Sequence, residues 1–248
     1  MKNNPFNFLR YKHLSVAEGY SDCRDFFYAM PALFQSEEGE IIYNRRNQLR
    51  RIKYGEHVFV VKSYQRPHLL NQIVYGILRS TKAKRAFDYA LMLREKGIGA
   101  PEPVAYYTER FLGLFLTKSY FISLNSVLPY TYNDIIAQRF DAAEEREYLT
   151  AIAQTTATLH ELGMIHTDYS RGNILFGRRA GKVEVELIDL NRLRFHAVDI
   201  IEGCQNLSER LPATERQRRI MSEVYAKERG FDAEECYRLM TKYSKETK

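Results

Sequence analysis

The chain has 248 residues, of which 45% are hydrophobic and 27% are charged. This length can bury one sizeable core or two small lobes. The mixture of both charge signs, without a biased tract, argues against a disordered or collagen-like chain. A formal net charge of +6 favours a polyanionic partner, which is a nucleic acid, an anionic membrane surface or a phosphorylated substrate. Charge alone does not choose among these partners.

Three cysteines, Cys23, Cys204 and Cys236, form an odd set without a CxxC pair. The set predicts neither a disulfide framework nor a zinc site, and a reducing cytosol fits it best. The amino-terminal residues lack the uninterrupted apolar run of a signal peptide, and no window approaches the roughly 18 apolar residues of a membrane span. We therefore expect a cytoplasmic protein.

Short β-prone runs alternate with polar turns in the first half of the chain, and one helical segment interrupts them. The runs predict three antiparallel strands followed, beyond the helix, by two more. Within the helical segment, apolar residues recur at spacings of three and four, and Gly97 stands where a helix C-cap is expected. The predicted segments are strands within 40–64, a helix at 81–96, and strands at 104–108 and 112–118.

The second half begins with an amphipathic helix that has acidic residues at its start and Gly163 just past its end. A polar loop, a strand hairpin and further helices follow it. The predicted segments are a helix at 144–162, a loop at 166–173, strands at 174–176 and 183–188, and helices within 208–246. This order predicts an α+β fold with a cleft between two lobes. The first lobe, 1–119, has a small antiparallel sheet of five strands and one long helix, and the second, 120–248, is mostly helical.

Residues 166–173 read H-x-D-x-x-x-x-N and precede an apolar strand. Phosphoryl transfer needs an acidic group that holds the attacking hydroxyl, and hard oxygen ligands that hold Mg²⁺ against the phosphates of ATP. Asp168 is the candidate group for the hydroxyl, and Asn173 is a candidate metal ligand. Asp189, at the end of the next apolar strand, is the second candidate ligand. Lys62 ends an alternating strand, from which its ammonium can neutralise the α and β phosphates.

Each of these signals is weak alone, but together they follow one another in the chain order of a kinase. Over roughly residues 40–240 the chain resembles the protein-kinase-like superfamily, and most closely its bacterial lipopolysaccharide kinase branch, which includes Kdo and heptose kinases. The resemblance implies ATP bound between the lobes, Asp168 as catalytic base, and Asn173 and Asp189 as ligands of Mg²⁺. It also implies that the acceptor is a hydroxyl of an inner-core sugar of lipopolysaccharide, itself bound to lipid A.

The chain departs from the protein-kinase pattern in three places. No G-x-G-x-x-G loop precedes Lys62, and the first hairpin turn, residues 44–48, contains two arginines instead. The metal motif reads Asp-Leu-Asn at 189–191 rather than D-F-G, and no A-P-E follows it. Too little chain remains after Asp189 for a full protein-kinase C-lobe. These departures favour a small-molecule or sugar kinase over a protein kinase.

The resemblance to kinases implies that a carboxylate from the helix at 81–96 pairs with Lys62, and set against related kinases Asp88 is better placed for this than Glu95. The alternative for Asp88 is a surface ion pair with Lys84, four residues earlier. Arg171, in the loop at 166–173 that is called the catalytic loop below, also has two alternatives. In the first, it contacts an anion, which is the γ-phosphate or an anionic group of the acceptor. In the second, its side chain is solvated.

Two further features bear on the site and its surroundings. We expect His166 to support the loop through hydrogen bonds rather than to transfer protons. A basic cluster in a window without any acid is expected to collect an anionic acceptor at the inner-membrane surface, unless it is only a solvated strand face. Its members are Arg45, Arg46, Arg50, Arg51 and Lys53.

Three alternatives to a lipopolysaccharide kinase stay open on the sequence. The same fold can act on an aminoglycoside, a choline-like alcohol or a protein hydroxyl, although a basic surface argues against cationic acceptors. A pseudokinase scaffold would bind nucleotide without turnover, and the missing Gly-rich loop is its main support. A nucleic-acid-binding module is the third, and the absence of regular aromatic-basic interleaving or of a recognised binding motif argues against it.

Overall fold

The computed structural model describes residues 9–66, 80–211 and 213–244 of the chain. Contacts between residues separate two units: unit 1 contains Met1–Met92 and Pro101–Ser126, and unit 2 contains Leu93–Ala100 and Val127–Lys248. Among the described residues, no helix is both long and apolar enough to cross a membrane.

Unit 1 is built on an antiparallel sheet of six strands in the order β1-β5-β6-β4-β3-β2. The strands are β1 (Arg10–Val16), β2 (Glu40–Asn44), β3 (Gln48–Tyr54), β4 (His57–Ser63), β5 (Pro103–Phe111) and β6 (Phe115–Leu124). Two short helices, α1 (Arg24–Tyr28) and α2 (Met30–Gln35), connect β1 to β2. Phe27 and Met30 from these helices pack in one core cluster with strand residues such as Phe59.

The next helix among the described residues, α3 (Lys82–Glu95), packs Ala83 and Phe87 in a second cluster with Tyr106. Across the strands, Lys62 is paired with Phe121, and Phe121 is paired with Tyr106. Directly opposed residues share one face of a sheet, so the row that contains Lys62 lies on the face that α3 covers.

Unit 2 is mostly helical and holds two small sheets, with strand orders β10-β9-β7 and β11-β8. Its helices are α4 (Tyr132–Ile136), α5 (Ala142–Glu161), α6 (Ile200–Ser208), α7 (Glu215–Arg229) and α8 (Ala233–Tyr243). Its strands are β7 (Tyr130–Thr131), β8 (Met164–His166), β9 (Ile174–Arg179), β10 (Lys182–Leu187) and β11 (Leu193–Phe195).

Helix α5 is the central helix of this unit, and its ends follow from local chemistry. The Asp141 side chain accepts hydrogen bonds from the backbone N–H groups of Ala143 and Glu144, which caps the helix start. Gly163, with φ at +68°, adopts the left-handed conformation that ends the helix at no steric cost. The stripe between these ends is buried and includes Leu149, Ile152, Ala153, Thr156, Leu159 and His160.

The predicted α+β architecture is confirmed, with an antiparallel sheet in unit 1 and helices in unit 2, but two details of the sheet are wrong. Five strands were expected and six form, because β1 is an edge strand in which only Leu14 is buried and the apolar pattern is weak. The strand expected at 112–118 is β6 at Phe115–Leu124, since Leu112 and Gly113 take positive φ values in the preceding turn. Of the predicted helical region 208–246, residues 212, 245 and 246 lie outside the described residues.

Alternation along β3 buries one member of the predicted basic cluster. The Arg50 residue is only 2% exposed. Its Nη1 donates to the carbonyl oxygen of Glu38 at 3.0 Å, and its guanidinium lies 4.9 Å from the centre of the Phe34 ring. Arg50 therefore stabilises the connection between α2 and β2, and the expectation that it faces an anionic partner is wrong.

The rest of the basic cluster is divided between paired and exposed charges. Arg51 donates through Nη1 to Glu40 Oε2 at 2.7 Å, so this charge has a carboxylate partner that the local window did not contain. Arg45 and Arg46 are exposed at the turn between β2 and β3, and Lys53 is exposed on β3. A surface for anions in this region can therefore involve these three residues but not Arg50.

Replacing Arg50 by Gln should lower the free energy of unfolding by about 1–3 kcal/mol, because the Glu38 carbonyl loses a charged donor and the packing over Phe34 is lost. The matched control is Arg45→Gln, which should stay within about 0.5 kcal/mol of the unmodified protein because it changes an exposed turn. Urea unfolding at constant pH measures both. A small and equal change in the two variants would contradict the structural role of Arg50.

Candidate active site

His166, at the end of β8, connects the two halves of the predicted catalytic motif. The imidazole is fully buried. Its Nε2 donates to the carbonyl oxygen of Ile188 at 3.0 Å, and its Nδ1 accepts the backbone N–H of Asp168 at 3.2 Å. Burial lowers the pKa of His166, which keeps the ring neutral with one donor and one acceptor. The ring thus joins the loop of Asp168 to the residue directly before Asp189.

Asn173 closes the catalytic loop on itself. Its side-chain Nδ2 donates to the carbonyl oxygen of Asp168 at 2.9 Å. Its backbone N–H donates to the carbonyl oxygen of Ser170 at 2.8 Å. The carbonyl of Asn173 accepts the N–H of Ile188 at 3.0 Å. Because the amide nitrogen is committed to Asp168, the amide oxygen is the atom that Asn173 can offer to a cation.

Asp189 follows β10 in the left-handed conformation, with φ at 59°. Its carboxylate accepts a hydrogen bond from the side-chain amide of Asn191. Since Ile188 is hydrogen-bonded to both His166 and Asn173, the backbones of the two predicted metal ligands are held next to each other.

The donor set fits Mg²⁺ in its usual protein environment. In the described parts of the chain, no group of three or more His, Cys, Asp and Glu side chains could hold a metal ion. Mg²⁺ is commonly bound by one or two carboxylates with waters and substrate phosphates, rather than by a complete protein cage. An amide oxygen from Asn173 and a carboxylate from Asp189 match that pattern.

The carboxylate of Asp168 contacts two arginines that the motif does not contain. Arg210 donates through Nη1 to Oδ1 of Asp168. The Nε of Arg192 lies 3.6 Å from Oδ2. The Asp168 side chain is 21% exposed, whereas each arginine side chain is 49% exposed. The proposed base is thus accessible, and cations surround it.

A hydrogen-bond chain from the half-buried Asn206 to the buried His160 and Tyr225 supports the loop on the side of α6. The Nδ2 of Asn206, on α6, donates to the carbonyl oxygen of His166 at 3.1 Å, and its Oδ1 lies 3.1 Å from Nε2 of His160. On the other side of that ring, Nδ1 lies 2.8 Å from the hydroxyl of Tyr225 on α7. The Asn206 orientation therefore assigns Nε2 of His160 as donor and Nδ1 as acceptor. Burial lowers the pKa of His160 to about 4, which keeps this ring neutral.

The remaining loop residues have different surroundings. The Tyr169 hydroxyl lies 2.6 Å from Thr156 Oγ1 on α5, and both groups are buried, which fixes the middle of the loop to the helix. Burial raises the pKa of Tyr169, so its hydroxyl keeps its proton. Arg171 is exposed and accepts the Tyr132 N–H with its own carbonyl oxygen at 3.1 Å. Its predicted contact with phosphate or acceptor stays a prediction.

In unit 1, the predicted phosphate lysine and its predicted partner are found in separate contacts. The Nζ of Lys62 lies 5.4 Å from the centre of the Tyr64 ring. Asp88 accepts a hydrogen bond from Lys84 Nζ at 2.7 Å in an i,i+4 ion pair, which is the alternative that the spacing allowed. The hydrogen bond to Asp88 raises the pKa of Lys84. A role for Asp88 beside Lys62 stays a prediction.

Sequence reasoning missed the residues that surround the motif. Asn206 and Tyr225 lie on helices, and Arg210 follows the end of α6. All three come long after the loop in sequence, and no spacing rule connects them to Asp168. Only His160 gave a signal, because helical periodicity places it on the buried stripe of α5.

The chain is similar to one known protein family and to two solved structures. The model of the lipopolysaccharide kinase (Kdo/WaaP) family matches residues 43–211. The solved structure of WaaP in complex with acyl carrier protein is similar with a TM-score of 0.63 at 16% identity, and the match covers 93% of this chain and 96% of that chain. The kinase domain of PknI from Mycobacterium tuberculosis gives a TM-score of 0.43 at 11% identity, covering 82% of this chain and 92% of that chain. No curated protein sequence matches the chain.

The family match defines the class as a kinase, a phosphotransferase with an alcohol group as acceptor. The family match extends over more than half of the chain and includes Lys62, Asp168, Asn173 and Asp189. The chain therefore belongs to the lipopolysaccharide kinase (Kdo/WaaP) family, whose acceptors are sugar hydroxyls.

The buried His160 should make folding stability sensitive to acid. Its folded pKa of about 4 lies below its ordinary value of 6.5, so the unfolded chain binds more protons between these two pH values. The contribution of neutral His160 to the free energy of unfolding is therefore full above pH 6.5. As the pH drops towards 4, this contribution falls by up to about 3 kcal/mol. Urea unfolding at several pH values, compared with His160→Gln, measures this difference. An identical pH dependence in the two proteins would contradict it.

Proposed function

We propose that the chain transfers the γ-phosphoryl group of ATP, with Mg²⁺, to a hydroxyl of a Kdo or heptose sugar in the inner core of lipopolysaccharide. Membership of the family supports a lipopolysaccharide acceptor. The observation that carries the phosphoryl-transfer chemistry is the hydrogen-bonded connection of Asp168, Asn173 and the residue before Asp189 through one buried histidine.

Asp168 is proposed as the catalytic base. Its carboxylate is partly exposed, and its backbone is fixed by His166 and Asn173, so an acceptor hydroxyl can reach an oriented oxygen. Asp168 aligns this hydroxyl with the phosphoryl group and takes its proton as the new oxygen–phosphorus bond forms and the bond from the γ-phosphorus to the leaving oxygen of ADP breaks. A positioned general base typically contributes about 10²- to 10⁴-fold in rate.

Asn173 and Asp189 are proposed to hold Mg²⁺, and Lys62 is proposed to neutralise the phosphates. When bound, Mg²⁺ neutralises charge on the transferred phosphoryl group. The protein's part is to present one amide oxygen and one carboxylate with little reorganisation, which the Ile188 hydrogen bonds support. No Gly-rich loop precedes Lys62, so we propose that the exposed Arg45 and Arg46 contribute to the grip on phosphate.

We further propose that the enzyme is cytoplasmic and meets its lipid-linked acceptor at the inner-membrane surface. Strand β2 has exposed apolar side chains at Ile41, Ile42 and Tyr43, and only Asn44 separates them from Arg45 and Arg46. Apolar and basic side chains together are the composition that favours an anionic lipid surface. Because the similar WaaP structure is a complex with acyl carrier protein, we also propose acyl carrier protein as a candidate partner.

The proposed activity is tested by transfer of label from [γ-³²P]ATP to whole lipopolysaccharide, Kdo-bearing lipid A precursor, and protein and aminoglycoside acceptors. We expect Mg²⁺-dependent label on a lipopolysaccharide sugar and a loss of about 10²- to 10⁴-fold in kcat for Asp168→Asn, with ATP binding retained. Asp232→Asn is the matched control, because Asn caps the start of α8 as well as Asp does. Label on protein or aminoglycoside alone would overturn the acceptor assignment, and nucleotide binding without any transfer would indicate a pseudokinase.

The metal assignment predicts a second, separable effect. Asp189→Asn should weaken binding of ATP in the presence of Mg²⁺ more than binding of ATP in EDTA, because the lost carboxylate is a hard oxygen ligand. Asn tolerates the left-handed conformation at this position, so the loop should keep its shape. Calorimetric titrations with and without Mg²⁺ measure the two affinities. Equal losses under both conditions would remove Asp189 from the metal site.

A further inference from the structure

Arg192 and Arg210 converge on the carboxylate proposed as the base, although they are far from it in sequence. Arg210 contacts Oδ1 of Asp168, and Arg192 contacts Oδ2, so each carboxylate oxygen has one guanidinium beside it. About half of each arginine side chain is open to solvent. All three residues belong to unit 2. The cluster is therefore a positively charged, accessible rim around one catalytic group.

The backbones of both arginines are fixed independently of these ion pairs. The carbonyl of Arg192 accepts the Thr167 hydroxyl at 2.9 Å, and the following residue, Leu193, is paired with His166 between β11 and β8. Arg210 follows the end of α6, next to the fully buried Leu211. The backbones of Arg192 and Arg210 can therefore stay in place when the guanidiniums bind another anion besides the Asp168 carboxylate.

Fold stability does not account for two arginines at this position. Ion pairs whose charged groups are open to solvent contribute little to stability, and screening by salt reduces this contribution further. Each arginine side chain is about half exposed, so solvent reaches the cationic side of both pairs and weakens them. The arrangement is better explained by what approaches Asp168.

An acceptor that uses Asp168 must come close to both arginines. A hydroxyl that gives its proton to a carboxylate lies within about 3 Å of one of the two oxygens. A carboxylate has about four lone-pair sites, so the hydroxyl and the guanidiniums can share it. The sugar that carries the hydroxyl then lies beside two cations. A neutral sugar gives these cations no counter-charge, whereas a carboxylate or phosphate accepts the paired N–H groups of a guanidinium.

We propose that Arg192 and Arg210 bind an anionic group on the acceptor sugar and thereby select acidic or phosphorylated acceptors. This inference rests on the proposed function, because it takes Asp168 as the base. The anion is either the carboxylate of an acidic sugar such as Kdo or a phosphate near the reacting hydroxyl, and both offer oxygens that suit a guanidinium.

Kinetics with three acceptors separates these two sources. The acceptors are Kdo-bearing lipid A precursor, the same molecule with its Kdo carboxylates as methyl esters, and the same molecule without its lipid A phosphates. The proteins are unmodified chain, Arg192→Gln, Arg210→Gln, the double variant, and Arg194→Gln as the matched control. Arg194 is an exposed arginine on β11, two residues after Arg192.

We expect the double variant to raise the KM for the intact acceptor by about 10- to 100-fold, since hydrogen bonds to charged groups contribute about 1.5–3 kcal/mol. The KM for ATP should stay within about twofold, and Arg194→Gln should match the unmodified chain. If the carboxylate is the anion, the unmodified chain should lose the same factor on the methyl ester, and the double variant should lose little more there. If a phosphate is the anion, this pattern should appear with the dephosphorylated acceptor instead.

The inference is overturned if the double variant loses the same factor on all three acceptors, or if the KM for ATP rises while the acceptor KM is unchanged. The second result would assign the arginines to the γ-phosphate. A failure of the proposed function looks different, because the unmodified chain would then label none of the acceptors.

Direct binding tests the anion site without turnover. Calorimetry should show free Kdo or inorganic phosphate binding to the unmodified chain and to Arg194→Gln, and at least tenfold weaker binding to the double variant. Equal binding by all three proteins, or no binding to the unmodified chain, would reject the site. Circular dichroism and thermal unfolding check that the variants are folded, which the exposure of both side chains predicts.

Discussion

The two hydrogen bonds of the buried His166 ring are the interaction on which the candidate site depends. A neutral imidazole has one donor and one acceptor, and here Ile188 takes the donor while Asp168 supplies the N–H for the acceptor. A second ring proton would place two N–H groups against each other at Nδ1. Burial disfavours that charged form and keeps the ring neutral, while the Ile188 carbonyl and the Asp168 N–H fix which nitrogen carries the proton.

The support behind His166 extends through three helices of unit 2. Asn206 contacts the carbonyl of His166 and the ring of His160, which in turn contacts Tyr225. Every member of this chain uses a donor for the next acceptor, which is the condition for a buried polar network to stabilise rather than to penalise a core. The position of the catalytic loop is therefore set by residues on α5, α6 and α7 that never meet the reacting groups.

The parts of the structure that depend on residue spacing and apolar periodicity along the chain could be predicted from the sequence. Asp168, Asn173 and Asp189 could be named as candidates because phosphoryl transfer needs such groups beside particular elements, and their roles stay predictions. Helix α5 was predicted correctly because its buried stripe has helical period. The edge strand β1 could not be predicted, because it buries too few side chains to leave an alternating apolar pattern in the sequence. Burial of Arg50 was also hidden, because its partners are a backbone carbonyl and an aromatic ring, and neither has a sequence signature.

The same contrast explains why a motif can identify a kinase before it identifies an acceptor. The groups that act on the phosphates have nearly the same task whatever is phosphorylated, so residue type and spacing around Asp168 are tightly constrained. Groups that recognise the acceptor need only reach the hydroxyl side of Asp168, and any element that ends nearby can supply them. In this chain those ends belong to α6 and to the turn before β11, which contribute Arg210 and Arg192. Two guanidiniums beside one carboxylate leave the surface around the proposed base positive, and this charge favours an acceptor that brings its own anion.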